Sequence, residues 1–150
     1  MQKKDELILT GYKPCYAQNI AQAELACFSE PWSLNAVCEF FERDYNFAVI
    51  ALVGDNFAGY AGYSVIAGEY QIANVAVPEE FRGSGIALAM MKEVERRARQ
   101  DGCERITLEV RESNTPAVSL YKKLGYVNVG IRRSFYKNPV ENALLMDFIL

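Results

Sequence analysis

The segment Arg82-Gly83-Ser84-Gly85-Ile86-Ala87 combines two glycines with a cation. It lies between a predicted strand that ends at Val77 and a predicted helix that begins near Gly85. The N-terminus of a helix offers free backbone N–H groups and the positive end of the helix dipole, which suit a phosphate anion. Glycines let a ligand approach the backbone closely. The segment therefore predicts a phosphate-binding turn.

Two nucleotide-binding loops do not fit this turn. A P-loop requires Gly-Lys-Ser/Thr after four spacer residues, which the chain lacks, and the dinucleotide fingerprint requires a third glycine at position 88, which is leucine. A flexible turn without a ligand is the alternative that the Gly-x-Gly spacing alone leaves open.

A second group of candidate residues follows the predicted helix. Glu109 lies on the polar face of a predicted strand whose other face carries Ile106, Leu108 and Val110. Partial burial makes a carboxylate a better proton acceptor, so Glu109 is a candidate general base. Tyr121 lies on the next predicted helix. The patterning leaves open that Glu109 is solvated and that Tyr121 is a packing aromatic.

Hydrophobic periodicity predicts the elements that would position these residues. We expect strands at 6–10, 47–53, 57–66, 70–77, 106–110, 126–136 and 143–150. We expect helices at 19–28, after a Ser33 cap, at 85–100, and after a cap at Asn114 or Thr115. This order predicts one α+β domain over residues 1–150, a mixed sheet with helices packed on it.

Composition excludes several classes of function. The 150 residues carry a net charge of −3, without the basic excess of a nucleic-acid-binding protein, and this charge suits a cationic substrate. The chain has no histidine, which excludes histidine-dependent nucleophilic catalysis. Its four cysteines form no Cys-x-x-Cys pair, so we expect no metal site. Apolar runs are too short for a membrane span or a signal-peptide core, so we expect a cytoplasmic protein.

The phosphate-binding turn resembles that of the GNAT acetyltransferases. Arg82-x-x-Gly85-x-Ala87 matches their Gln/Arg-x-x-Gly-x-Gly/Ala pattern, which holds the pyrophosphate of coenzyme A, and Asn74 to Pro78 matches the strand before it. The resemblance implies a GNAT fold with six to seven mostly antiparallel strands and about four helices, acetyl-CoA as cosubstrate, and no metal. The implied coenzyme contacts are the backbone of Val75, Ala76 and Val77 for the acetyl-pantetheine end, and Arg82, Gly83, Ser84, Gly85, Ile86, Ala87 and Leu88 for the pyrophosphate.

Residues 74–136 resemble the RimI-like branch of this family, which acetylates the N-terminal alanine of a small-subunit ribosomal protein. The match lies in Leu-Glu-Val-Arg-x-Ser-Asn at 108–114 and Ala-x-x-Leu-Tyr at 117–121, and Pro-Trp-Ser at 31–33 extends it weakly. The resemblance implies that Glu109 accepts a proton, Tyr121 donates one, and Asn114 bonds the coenzyme arm. An α-amine is about one-tenth neutral at pH 7, far more than a lysine amine, so a modest base suits it.

The chain departs from the RimI-like pattern where the acceptor is expected to bind. Phe135 replaces a tyrosine and Asn142 replaces an aspartate. Trp32 is expected either in the wall of the acceptor groove or in the core between the first two helices. Two alternatives stay open: a GNAT enzyme acting on a small amine or on lysine side chains, and a non-catalytic acyl-CoA-binding module.

Overall fold

The computed structural model describes residues 6–150, which form seven strands and four α-helices. The strands are β1 (Leu7–Gly11), β2 (Asn46–Val53), β3 (Asn56–Ile66), β4 (Glu69–Ala76), β5 (Arg105–Arg111), β6 (Val127–Tyr136) and β7 (Glu141–Ile149). The helices are α1 (Ala17–Cys27), α2 (Leu34–Glu42), α3 (Ile86–Gln100) and α4 (Thr115–Leu124). Single 3₁₀ turns occupy Pro14–Tyr16 and Glu79–Phe81.

The predicted elements are all present, and their bounds differ by no more than two residues. Ser33 caps α2, because its Oγ accepts a hydrogen bond from the Ala36 N–H at 3.1 Å. Asn114, rather than Thr115, caps α4 through the Ala117 N–H at 3.3 Å. No helix in residues 6–150 is long and apolar enough to cross a membrane.

All seven strands form one sheet in the order β1-β2-β3-β4-β5-β7-β6. Every neighbouring pair is antiparallel except β4 and β5. The sheet is therefore mixed and mostly antiparallel, as predicted. The final hairpin inserts β7 between β5 and β6, which leaves β6 at the edge.

Helices cover both faces of the sheet. On one face, α1 and α2 bury Ile20, Ala23 and Val37 against Ile50 and other strand residues. On the other face, α3 and α4 form a second cluster whose helix residues are Ile86, Met90, Met91, Val94, Ala98 and Tyr121. Burial of apolar side chains on both faces stabilises the layered arrangement.

The sheet opens between its two parallel strands. β4 and β5 pair only from Glu69–Arg105 to Gln71–Thr107, although β4 continues to Ala76 and β5 to Arg111. The strands thus separate beyond these three pairs. We call the separated part the open end and the hydrogen-bonded part the paired end.

A β-bulge lies on β4 at the start of the open end. Gly62 of β3 pairs with Asn74, whereas the next residue, Tyr63, pairs with Ile72, so Ala73 is the extra residue. A bulge reverses the alternation of side chains along a strand. Tyr70 and Ile72 therefore face α3, whereas Asn74 and Ala76 face α1.

Candidate active site

The predicted phosphate-binding turn has the geometry of an anion site. Gly83 and Gly85 have φ values of 81° and 79°, a region that L-residues rarely adopt. A Cβ added at either glycine would meet no atom within 4 Å, so open space borders the turn. Gly85 is the N-cap of α3 and provides no side-chain cap. The N–H groups of the first helical turn, at Ile86, Ala87 and Leu88, are thus left for a ligand.

The side chain of Arg82 turns back toward β4. Its Nε donates to the Val77 carbonyl at 2.9 Å, and its Nη2 lies 3.5 Å from the sulfur of Cys27. The thiol of Cys27 also lies 3.6 Å from that carbonyl. The contact of Arg82 with Val77 fixes the chain between β4 and the turn, and the Val77 carbonyl already has partners within the protein.

The open end of β4 provides backbone groups next to the turn. Beyond Gln71, the N–H and C=O groups of β4 that point toward β5 have no partner on that strand. Val75 and Ala76 belong to this stretch, and Val77 directly follows it. Unpaired strand groups can hydrogen-bond an extended ligand as an added strand would. The amide groups of a pantetheine arm have the matching chemistry.

Glu109 lies on the open end of β5, on the face that looks toward α1 and α2. The alternation of β5 buries Ile106, Leu108 and Val110 on the opposite face, as predicted. The Glu109 side chain retains 30% of its exposure, and its Oε1 lies 3.4 Å from Nε of Arg132 on β6. The carboxylate is therefore partly exposed to solvent and forms an ion pair on the side toward β6.

Tyr121 approaches from the opposite face of the sheet, where α4 packs it into the core. Burial and the nearby Tyr136 raise the pKa of Tyr121 to about 12. The hydroxyl thus stays protonated at neutral pH and is available as a donor. It is a weaker acid than an ordinary tyrosine, whose pKa is near 10.

Tyr136, at the end of β6, interacts electrostatically with both predicted catalytic residues, Glu109 and Tyr121. Burial is the largest cause that raises its pKa to about 12, followed by the charge of Glu109. It in turn raises the pKa of Tyr121. The guanidinium of Arg111 lies 4.5 Å from the centre of the Tyr136 ring. Tyr136 is therefore part of the candidate site, a role that the sequence pattern did not indicate.

Arg111 is a second residue that the pattern missed. Its guanidinium donates to the Lys137 carbonyl at 2.8 Å and the Pro139 carbonyl at 3.0 Å, and to Glu141 at 3.2 Å. It also donates to Ser29 Oγ at 3.2 Å. Arg111 thereby joins the α1–α2 loop to the β6–β7 turn, on the same face as Glu109.

Asn114 and Asn142 each support a local turn. Asn114 uses its Oδ1 to cap α4, and its side-chain NH₂ has no hydrogen bond to any described residue. That NH₂ can therefore still donate to a ligand. The Oδ1 of Asn142 accepts from the Ser134 N–H at 3.0 Å, where Ser134 has a positive φ of 52°. An aspartate could accept the same bond, so this departure leaves the turn intact.

Two aromatic residues that the sequence suggested for the acceptor region, Trp32 and Phe135, lie outside strands β4 and β5. Trp32 packs on Phe40 at 5.0 Å between ring centres and borders an open cleft of about 330 Å³ over α2. The indole thus packs against α2 with one part and lines an open cleft with another. Phe135 is exposed and meets the ring of Tyr136 edge-on at 5.0 Å. Nothing in residues 6–150 groups three or more His, Cys, Asp or Glu side chains into a possible metal site.

Comparison with known sequences matches most of the chain to one family. The sequence model described as the acetyltransferase (GNAT) family matches residues 17–126. The [ribosomal protein bS18]-alanine N-acetyltransferase of Salmonella typhimurium is 30% identical over 131 residues, which cover 83% of this chain and 85% of that protein.

Solved structures share the fold. The ribosomal-protein-S18-alanine N-acetyltransferase from Escherichia coli superposes with a TM-score of 0.90 at 22% identity, covering 96% of this chain and 94% of that chain. Arabidopsis thaliana NAA60, crystallised in complex with acetyl-CoA, has a TM-score of 0.89 at 16% identity, with coverage of 97% and 99%.

Proposed function

Since this chain belongs to the acetyltransferase (GNAT) family and is an acetyl-CoA-dependent N-acetyltransferase, we propose that its acceptor is the N-terminal α-amine of a protein. The most specific acceptor we propose is the N-terminal alanine of a small-subunit ribosomal protein. The Salmonella relative is named for that reaction, and it aligns with most of this chain. We further propose that residues 1–150 form one catalytic domain that acts in the cytoplasm.

The observation that carries the proposal is the arrangement at the open end. Glu109 lies at the open end of β5 on the face toward α1 and α2, Tyr121 lies in the cluster on the other face, and the phosphate-binding turn follows β4 after residues 77–81. A donor bound along β4 would therefore present its thioester between a proton acceptor and a proton donor. The backbone of Val75, Ala76 and Val77, the turn from Arg82 to Leu88, and Asn114 would bind the coenzyme.

The proposed chemistry is direct transfer without a covalent enzyme intermediate. The amine nitrogen attacks the thioester carbonyl, the C–N bond forms, and the C–S bond breaks. Glu109 takes the proton that the amine loses, directly or through water, and Tyr121 gives a proton to the departing thiolate. An α-amine with a pKa near 7.7–8.0 needs little help from a base, which suits an accessible carboxylate such as Glu109.

The acceptor is tested by following free thiol release from acetyl-CoA with three acceptors. These are a peptide that begins with alanine and continues with basic residues, the same peptide with a blocked N-terminus, and a polyamine. We expect turnover with the free peptide only. Equal rates with the free and the blocked peptide would identify lysine side chains, not the N-terminal amine, as the acceptor. Turnover with the polyamine alone would identify a small amine as the acceptor.

A non-catalytic acyl-CoA-binding module, which the sequence alone left open, does not fit a chain that is an N-acetyltransferase of this family. Such a module would bind acetyl-CoA but release no thiol with any of the three acceptors. It would also be indifferent to the replacement of Glu109 and Tyr121, which lie on opposite faces of the sheet.

A further inference from the structure

Glu24 on α1 is the one buried charged side chain among the described residues, with 0% exposure. Its carboxylate accepts hydrogen bonds from the Tyr60 hydroxyl at 2.6 Å, the Asn74 amide at 3.0 Å, and the Trp32 backbone N–H at 2.9 Å. Burying a carboxylate costs free energy that such donors only partly offset. The proposed chemistry does not use this group, so its cost calls for another role.

The three donors come from three different segments of the chain. Asn74 lies on the open end of β4, and only the bulge at Ala73 turns it toward Glu24. Trp32 belongs to the loop between α1 and α2, residues 28–33, which we call the acceptor loop. Tyr60 lies on β3, next to β4, and its ring is fully buried.

The acceptor loop also reaches the open end of β5. Its Ser29 accepts a hydrogen bond from Arg111, which lies two residues after Glu109 on the same face. The loop is therefore anchored at one end by Arg111 beside the proposed base, and at the other by Glu24 beneath β4. A shift of the loop would change the distance between an amine held near it and a donor bound along β4.

We propose that Glu24 is a positioning residue for the acceptor, whose carboxylate fixes the acceptor loop relative to the open end of β4. The inference rests on the proposed function in one respect, namely that the acceptor amine enters beside residues 28–33. Glu24 does not touch the reacting atoms, because its side chain is sealed from solvent.

The experiment compares two tyrosine variants that each remove one buried hydroxyl. Tyr60→Phe removes a donor to Glu24, whereas Tyr70→Phe removes the matching bond from Tyr70 to Asp101 at the paired end of β4. We expect Tyr60→Phe to raise the KM for the acceptor peptide about fivefold, and Tyr70→Phe to leave it unchanged. Both should leave the dissociation constant for acetyl-CoA within about twofold.

Two substitutions at Glu24 give a graded comparison. Glu24→Leu removes every acceptor, so we expect the KM for the peptide to rise about tenfold or more. Glu24→Gln keeps a side-chain oxygen for the Trp32 N–H and should recover part of that loss. If Glu24→Leu does not fold, the glutamine variant and Tyr60→Phe carry the test, because each keeps most of the cluster.

A readout without turnover separates this proposal from the choice of acceptor. Trp32 is the sole tryptophan of the chain, so acrylamide quenching of its fluorescence reports on the acceptor loop. We expect faster quenching in Tyr60→Phe and Glu24→Gln but not in Tyr70→Phe, whatever amine the enzyme uses. If Tyr60→Phe and Tyr70→Phe lose equal stability while KM and quenching stay at wild-type values, Glu24 is merely structural and the proposal is wrong.

Discussion

At the paired end of β4, the hydroxyl of Tyr70 donates to Asp101, which directly follows α3; at the open end, Tyr60 and Asn74 donate to Glu24. Both tyrosines are buried, and burial is the main cause that raises the pKa of each. The same chemical contact therefore occurs at both ends. Its surroundings differ, because only the paired end also has strand pairing between β4 and β5.

The proposed ligand site lies at the end of the sheet where β4 and β5 are not paired. At the paired end, the ladder to β5 holds β4, and the tyrosine contact adds to it. At the open end, β4 has no such neighbour, and helix α1 supplies a buried carboxylate instead. Substitutions matched across the two ends should thus have similar effects on stability but different effects on activity.

The largest difference in kcat is expected between substitutions of two glutamates, Glu109 on β5 and Glu104 just before it. Glu109→Gln at the open end removes the proposed base and should lower kcat about a hundredfold, since general acid–base groups contribute 10²–10⁴. Glu104→Gln, just before the paired end, changes an exposed side chain and should not affect turnover. Thiol release at saturating substrate measures both, with acetyl-CoA affinity measured by calorimetry.

Tyr121→Phe completes this comparison and should lower kcat at least about tenfold while acetyl-CoA binding survives. Wild-type turnover in both Glu109→Gln and Tyr121→Phe would mean that other groups carry the protons, and Tyr136 would then be the next residue to replace.

The second difference concerns the two ends of α3. Gly85 precedes the helix and Gly102 follows it; their φ values are 79° and 70°, and a Cβ at either meets no atom within 4 Å. Alanine at each position should cost about 1–2 kcal/mol of folding free energy, because both need a left-handed backbone. Only Gly85→Ala should also weaken acetyl-CoA binding, by about tenfold, since its methyl group occupies the space beside the phosphate-binding turn.

Urea unfolding and calorimetric titration of acetyl-CoA measure these two effects separately. A coenzyme affinity that falls equally in Gly85→Ala and Gly102→Ala would trace to general destabilisation, and the turn would lose its assignment as the pyrophosphate site.

A third and smaller difference, in the KM for the acceptor peptide, is expected between Arg105 and Arg111, the first and last residues of β5. Arg111→Met at the open end breaks the contacts that join the acceptor loop to the β6–β7 turn, so the KM for the acceptor peptide should rise about threefold to tenfold. Arg105→Met at the paired end breaks 3.5 Å ion pairs to Glu69 and Asp147 and should leave that KM unchanged. Steady-state kinetics at several peptide concentrations distinguish the two; equal KM values would remove Arg111 from the acceptor site.

The sequence predicted the parts of the site that depend on local order. The turn at Gly83 and Gly85 could be predicted because the glycine spacing, a strand and a helix occur together within a few residues. Glu109 is readable because simple alternation along β5 places it opposite buried residues. The bounds of the helices follow from caps such as Ser33 and Asn114 for the same reason.

Contacts between distant segments could not be read in this way. Arg111 and Ser29 are 82 positions apart, and Glu24 and Asn74 are 50 apart. Alternation would also have placed Asn74 on the face of Tyr70, and only the bulge at Ala73 reverses that. The opening of the sheet and the position of β7 beside β5 likewise depend on tertiary pairing.

The smallest expected effect concerns stability and pH at the open end. Burial raises the pKa of Glu24 above its ordinary value of 4.5, and hydrogen bonds from Tyr60, Trp32 and Asn74 partly oppose this. A carboxyl whose pKa is raised by folding adds stability below its unfolded pKa, and this contribution is lost as pH rises through the folded value. Glu24→Gln cannot titrate, so its stability relative to wild type should improve from pH 4.5 to pH 7.5.

Urea unfolding at both pH values measures this change, and Tyr60→Phe serves as the matched control. That variant keeps the carboxylate but removes a donor that favours its charged form, so it should lose more stability than wild type over the same pH interval. Among residues 6–150, Cys27 is the other titratable group that raises the pKa of Tyr60, and neither substitution changes it. If the stability difference between Glu24→Gln and wild type stays constant with pH, Glu24 does not titrate differently on folding, and the open end carries no buried charge penalty.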